Sequence, residues 1–592
     1  MDWTEGQQKV IDLRERNILV SAAAGSGKTA VLVERIIKKI TDKKNPVDID
    51  RLLVVTFTKA AAAEMRGRIS KALEELAKDH PKDENLQKQL RLLHNAQITT
   101  IDSFCQHIIR NYFSVIGLDP LFQVADETDL KLIKQDVLEN LLEERFGEAR
   151  EKNNQAFLDF TEIFAPGRND KPIDELVLKL YTISQSYPQP EEQLRKWDQM
   201  YQISSLQELM ETPWMQELML DVKEALQGYV QMATKAERIC LEEGGPEVYL
   251  DTIRSDKRQL NDLVEKEDYA SLYEAMSMLN FGRLKAARGK EIDPEKRDFV
   301  KELRAGYQKN GVQKLRGELF FQAPDEMFRD IQAMASPVHE LIQITMDFAE
   351  AFAAEKKNRG LIDFNDMEHF ALQILVDIGE DGSSQPSAVA QELQQHYEEI
   401  LTDEYQDSNF VQETILTSLC RAPEQAPYLF MVGDVKQSIY QFRLARPDLF
   451  MEKYNSYSKE DSKMQRIDLH QNFRSRATVL ASANYLFERL MREDFGGIVY
   501  DEAASLVPGA AYPDSSYRNA GIPKEGQTEI LLVEQKRGKN PSSSNGNAEE
   551  TGSMSGVEDG SELGKRALEA AVIGEQIREL VQGEQPLYVK DE

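Results

Sequence analysis

Gly27, Lys28 and Thr29 place a flexible backbone, a cation and a hydroxyl side by side, behind Ala22, Ala23, Ala24, Gly25 and Ser26. That composition suits a loop that wraps phosphate. Gly25 and Gly27 let backbone N–H groups converge on an anion, and a helix N-terminus beyond them adds partial positive charge. Lys28 is long enough to reach the outer phosphates of ATP, and the Thr29 hydroxyl is a ligand for Mg²⁺. The pattern usually opens with Gly, and here that position is Ala22. The competing reading is an ordinary Ala/Gly/Ser turn before a helix. The apolar run from Asn17 and the spacing of Val31, Leu32 and Ile36 favour strand, phosphate loop and helix.

A second group with chemistry is Asp403, Glu404, Gln406 and Asp407. Adjacent carboxylates are costly to hold together unless a cation needs them. Asp403 then holds Mg²⁺, directly or through water, and Glu404 polarises the water that attacks a γ-phosphate; the alternative is a charged turn before a helix. Further on, Gln437 is spaced to sense a γ-phosphate, while Tyr440, Phe442 and Arg443 supply two rings and a guanidinium. Arg474 suits a finger for transition-state charge, and Phe473 beside it can stack on adenine. Upstream, the Gln7 amide can meet an adenine edge or be an ordinary exposed glutamine on a helix, and Arg35 can stack on a base or face solvent.

These residues need strand ends to carry them. Apolar runs at 52–57, 97–101, 400–401 and 428–434 read as strands, and a short one leads into Asn472. The run at 52–57 delivers Thr56, Phe57, Thr58 and Lys59 to a loop, and the run at 97–101 delivers Thr100, Asp102, Ser103 and Phe104. Hydroxyls, a cation and rings are what single-stranded nucleic acid takes, by phosphate contact and base stacking. A helix cap at Thr58 with Phe57 in the core is the competing reading, and the same pair of readings holds for the later block. From 126 to 350 amphipathic helical patterns replace strands. Within them Arg283, Lys285, Arg288 and Lys290 precede any acid, either as a solvated helical face or as a phosphate-contact surface.

The totals bound the class. At 592 residues several domains fit, and no apolar run nears the roughly 18 residues a membrane span requires, so no membrane role is expected. Cys105, Cys240 and Cys420 lie far apart, which excludes a paired disulfide or zinc pattern and points to a reducing, cytoplasmic setting. The net charge of −30 argues mildly against a nucleic-acid partner, although a local basic or aromatic track can coexist with acidic outer faces.

In this order the blocks resemble the motif series of superfamily 1 DNA helicases of the UvrD/Rep type, from Trp3 to Ser475. The adenine-edge glutamine falls on Gln7, the phosphate loop on Ala22 to Thr29, and the DNA-contacting blocks on Thr56 to Lys59 and Thr100 to Phe104. The acidic box reads DEYQD at Asp403 to Asp407, and the later motifs fall on Gly433 to Arg443 and Asn472 to Ser475. The phosphate loop and the run from Asp494 to Pro513 look closer still to the AddA-type subunits of AddAB break-processing enzymes. That resemblance implies an α/β fold: a RecA-like P-loop NTPase domain (1–125 plus 351–462) with a large helical insertion (126–350). An incomplete second RecA-like domain (463–592) would follow, with a low-complexity linker at 536–562. It further implies a 3′-to-5′ motor on single-stranded and double-stranded DNA ends, in break repair and recombination with an AddB-like subunit.

The later helicase motifs and a nuclease domain do not arrive before Glu592, so the chain is expected to be the N-terminal part of a longer product. Glu529 to Gln535 is expected to be a strand of the second domain, and 567–581 a helix. The rival reading is a DNA- or partner-binding module that binds nucleotide without hydrolysing it. A small-molecule kinase leaves DEYQD and QNFRS, in that order, unexplained.

Overall fold

The structure is a computed structural model, and it describes residues 3–152, 154–167, 171–289, 291–379, 383–492, 499–502, 504–510, 530–533 and 560–583. The described residues divide into two compact units. One gathers 1–12, 20–35 and the chain from 467 onward; the other gathers 13–19 and 36–466.

The larger unit is built on parallel strands, of which the inner four carry β-branched and leucine runs buried on both faces, as a sheet covered by helices requires, while the two at the edges are buried at alternate positions. They are β1 (Asn17–Ala22), β2 (Leu52–Thr56), β3 (Gln97–Thr100), β4 (Glu399–Thr402), β5 (Tyr428–Gly433) and β6 (Met464–Leu469). The order is β6-β1-β5-β4-β2-β3, with β1 and β6 entering this unit through residues 17–19 and 464–466. Registers Leu53↔Gln97, Leu53↔Ile400 and Ile400↔Leu429 bring the C-terminal ends of β2, β3, β4 and β5 level with one another. Ligand sites in such sheets lie at those ends. Leu53, Val55, Ile400, Leu429 and Met431 share a core with helices Ile101–Tyr112 and Phe364–Leu375.

Between 126 and 350 the described residues form helices and irregular segments, with no strand. Where the chain leaves and re-enters the sheet region, Gln123–Val124 pairs in parallel with Leu361–Ile362. Beside that ladder Lys356, 3% exposed at its side chain, bridges Asp363 at 2.9 Å and Asp366 at 2.6 Å, so a buried cation is matched by two carboxylates.

Two expectations are corrected here. Residues 279–289 are irregular rather than helical, and the helix begins only at Pro294 behind the Asp293 cap. Gly282 and Gly289 weaken any helix across this run, and Pro294 fits only a first turn. The strand expected at Glu529 to Gln535 does not form over 530–533, its described part. Ile530 and Leu532 stay 80% and 87% exposed there, with no neighbouring strand to pair with among the described residues. The expected C-terminal helix is present as Gly560–Gln582, while linker residues 536–559, and residues 494–498, 503 and 511–513 of the run from Asp494 to Pro513, lie outside the described residues.

Candidate nucleotide and nucleic-acid sites

In the smaller unit, β1 ends at Ala22, fully buried, and the chain turns through Gly25 at φ +70° and Gly27 at φ +82° before helix Lys28–Ile40 begins. Left-handed backbone at two positions is what glycine permits, and it turns successive N–H groups toward one point. No acidic residue sits in the first turn of the helix, so no side-chain carboxylate competes for its N-terminal charge. Ser26 is 1% exposed, and its Oγ has no protein partner. A phosphate fits this cradle: it would give the orphaned Ser26 Oγ a partner at the N-terminal end of the helix.

The segment Asn472–Ser475 is hydrogen-bonded onto the loop. Phe473 N donates to Gly25 O at 2.8 Å, and Asn472 Nδ2 donates to Ala24 O at 2.6 Å. Asn472 Oδ1 in turn accepts from the N–H groups of Arg474 at 2.9 Å and Ser475 at 2.7 Å, which fixes the turn carrying the exposed Arg474. The half-buried Phe473 ring lies against Gly509, where a Cβ would come within 2.7 Å of it. Gln7 is buried, and its amide donates to Ser26 O at 3.0 Å and accepts from Thr4 N at 3.0 Å. It thus braces the phosphate loop. Arg35 is a correction: it is fully buried and donates to Val10 O at 2.6 Å, so it neither faces solvent nor stacks on a base.

In the larger unit the acidic box follows β4. Asp403 N donates to Val55 O at 2.9 Å, continuing the ladder one residue past the strand. Glu404 then sits at φ +53°, ψ +43°, a conformation that costs a non-glycine residue on the order of 1–2 kcal/mol and that clusters at functional sites. Gln406, 1% exposed, holds it: Nε2 donates to Glu404 Oε2 at 2.9 Å and to Asp407 Oδ2 at 3.1 Å, while Oε1 accepts from Asp434 N at 3.0 Å. A Cβ on Gly433 would stand 2.4 Å from that Oε1, so the glycine allows the approach. Asp434 also accepts from Gln437 Nε2 at 2.6 Å and pairs with Lys436 at 2.9 Å.

Around these strand ends lies a cavity of about 390 Å³ lined by Thr56, Phe57, Thr58, Asp403, Glu404 and Tyr440, with Asp102, Glu368 and Arg443 also on its wall. Phe57 stacks obliquely on Tyr440 with centroids 4.6 Å apart, and Tyr440 lies 5.9 Å from Phe442, which is 76% exposed. The Arg443 guanidinium stands over both rings, 5.4 Å from Tyr440 and 5.7 Å from Phe442. Thr58 caps helix Lys59–Asp79 by accepting from Ala61 N at 3.1 Å, yet Phe57 remains at the cavity rather than in the core. Thr56 and Thr100 are buried and shape their loops: Thr56 Oγ1 donates to Thr58 O at 3.1 Å, and Thr100 caps the helix at Ser103. Lys59, Thr100 and Ser103 line a second groove of about 730 Å³. Phe104 is a correction: it is fully buried among Leu53, Ile108 and Tyr397 and has no face to offer a base.

Glu368 was not singled out from the sequence. It lies on the buried stripe of Met367, Glu368, Ala371, Leu372 and Leu375, so an acid at helical spacing within an apolar face was the available signal. Burial pushes its carboxyl up to about 7, against the opposing hydrogen bond from Gln412 Nε2 at 2.7 Å. Burial also raises the nearby Asp102, with the Lys59 charge opposing it.

A family model described as the UvrD/REP helicase N-terminal domain matches residues 3–458. The chain is 45% identical over 595 residues to the A subunit of an ATP-dependent helicase/nuclease from Lachnoclostridium phytofermentans, covering 99% of this chain and 43% of that relative. A protein of the same description from Bacillus cytotoxicus is 40% identical over 591 residues, and one from Clostridium beijerinckii 38% over 582, with 45% of each relative covered. The chain therefore spans less than half the length of these relatives. Among the described residues no helix is long and apolar enough to cross a membrane.

Proposed function

The chain belongs to the UvrD/REP helicase family, and from that premise we propose that it carries the ATP-driven motor portion of an AddA-type DNA helicase/nuclease. The motor would move 3′ to 5′ on DNA, at ends in break repair, alongside an AddB-like partner in the cytoplasm. The observation that carries the proposal is one cavity in one unit. The stacked Phe57 and Tyr440, with Arg443, line the same wall as Asp403 and Glu404, so rings suited to bases and acids suited to hydrolysis share a space. A base entering would displace Tyr440 or Phe57 and press on the segment that holds Gln437 and Asp434.

In this reading the cradle at Gly25 to Lys28 binds the triphosphate, and Lys28 and Arg474 carry phosphate charge. Thr29 and Asp403 would hold Mg²⁺, which when bound neutralises charge on the phosphates; one carboxylate and one hydroxyl suit an ion that keeps several waters. Glu404, fixed by its left-handed backbone and by Gln406, takes the proton of the attacking water. Gln437 reports the nucleotide to the ring segment that follows it. Gln7 and Phe473 border the loop and would receive the adenine, Gln7 after releasing Ser26 O. Thr58, Lys59 and Ser103 would take DNA phosphates, with Thr56 and Thr100 setting the loops that present them.

Phosphate release with and without oligo(dT) tests the proposal. A DNA-stimulated rate supports it, and tight nucleotide binding with no release in either condition favours the non-hydrolysing module.

A further inference from the structure

The cavity at the strand ends carries a set of polar groups that neither ring stacking nor hydrolysis uses. Asp102, Glu368 and Thr402 line it, together with the amides of Asn409 and Gln412. Glu368 stands on helix Phe364–Leu375 and Asp102 on helix Ile101–Tyr112, and the charge of Asp102 adds to burial in raising the Glu368 carboxyl. Gln412 Nε2 donates to Glu368 Oε1 at 2.7 Å, and the Asn409 side chain donates to the same carboxyl. A carboxylate offers about four acceptor sites, so acceptor capacity remains for a further donor. Thr402 is 3% exposed, and its Oγ1 has no protein partner. A buried hydroxyl left without a partner calls for a ligand that completes it.

We propose that these groups read the edge of one base of a single strand and favour cytosine over thymine. The acids that line the cavity repel a phosphate, so what enters past Phe57 and Tyr440 is the uncharged base. A cavity of about 390 Å³ has room for a single pyrimidine ring. Its carboxyls ask for a donor on that ring. Cytosine supplies one in its N4 amino group, and an acid accepting from N4 is a recurring readout pair. Thymine places O4 at the same position, so an oxygen would face the carboxylate. The Thr402 hydroxyl can donate to cytosine N3 or O2, which gives Oγ1 the partner it lacks within the protein. This inference rests on the DNA-motor reading, in which a base enters the cavity, and adds that the cavity discriminates among bases.

The test is fluorescence anisotropy of the full chain with oligo(dC), oligo(dT) and oligo(dU) of equal length. The pH is held at 8, above the value of about 7 to which burial raises the Glu368 carboxyl. Wild type should bind oligo(dC) about tenfold more tightly than oligo(dT), the scale of one base-edge contact, with oligo(dU) behaving as oligo(dT). Glu368→Gln keeps the side chain's size and an oxygen for Gln412, and its preference for oligo(dC) should fall to about twofold or less. Asp102→Asn should lower the preference in the same direction. In both variants oligo(dT) should bind no more weakly than to wild type, which separates lost selectivity from a damaged fold. Equal wild-type affinity for oligo(dC) and oligo(dT), a preference that survives Glu368→Gln, or oligo(dU) binding as oligo(dC) does, overturns the proposal. A wild-type chain that bound none of the three strands would overturn the motor reading with it.

Discussion

Replacing Gly25 by Ala should damage the phosphate loop more than the same change at Gly27, although both glycines are left-handed. The backbone term is common to both, about 1–2 kcal/mol for an L-residue at positive φ. The difference lies in what the new methyl group meets. At Gly27 the nearest atom is Gln7 Nε2 at 3.4 Å, an ordinary contact. At Gly25 the Cβ would stand 2.7 Å from Asn472 Nδ2 and 2.9 Å from Arg474 Cβ. Asn472 must then move, and it makes three hydrogen bonds that set the loop and the Arg474 turn. At about 1 kcal/mol net for each bond, Gly25→Ala should cost on the order of 3–5 kcal/mol against 1–2 for Gly27→Ala. Urea unfolding of both variants reads the stability, and a fluorescent ATP analogue reads the site. Equal destabilisation by the two changes, or wild-type nucleotide affinity in Gly25→Ala, would refute the docking of Asn472–Ser475 as the reason for a glycine at 25.

Glu368→Gln should stabilise the chain above neutral pH and do little near pH 4. The buried acid is raised from 4.5 to about 7, so folding loses stability as pH rises through that window, by on the order of 3 kcal/mol at its top; melting temperature against pH checks it. Gln406→Ala should leave the Asp434 N–H without its acceptor and release Glu404, costing about 1–3 kcal/mol of stability and lowering kcat more than it changes KM for ATP. Tyr440→Ala should weaken oligo(dT) binding by about 1–3 kcal/mol, the scale of one base stack, while nucleotide affinity without DNA stays at the wild-type level.

The inner parallel strands were legible because they carry runs of Ile, Leu and Val, and the phosphate loop because its glycines and Lys28 sit directly after one of them. The two ring-bearing blocks show where local pattern stops deciding. Phe57 lies before the Thr58 cap, outside the helix, and stays at the cavity. Phe104 lies beyond its cap and joins Cys105, Ile108 and Ile109 on the buried stripe of its helix. Arg35 shares the stripe of Val31, Leu32 and Ile36, where a long cation is improbable by type and is admitted because Val10 O meets it. Such a partner comes from a distant part of the chain, and no local periodicity contains it. The same holds for Asn472, whose hold on Ala24 spans 448 residues; residues 279–289 differ, because the two glycines and the proline that outweigh their helix-forming neighbours are local signals.

In the proposed motor Glu404 acts on water during DNA-stimulated ATP hydrolysis. Steady-state phosphate release by Glu404→Gln, measured with and without oligo(dT) and beside the affinity of the variant for nucleotide, tests it most directly. The amide keeps the side chain's size and its contact with Gln406 but cannot take a proton, so turnover should fall by about 10²-fold or more with nucleotide binding retained. Turnover at the wild-type rate, stimulated by DNA as before, would rule out Glu404 as the base.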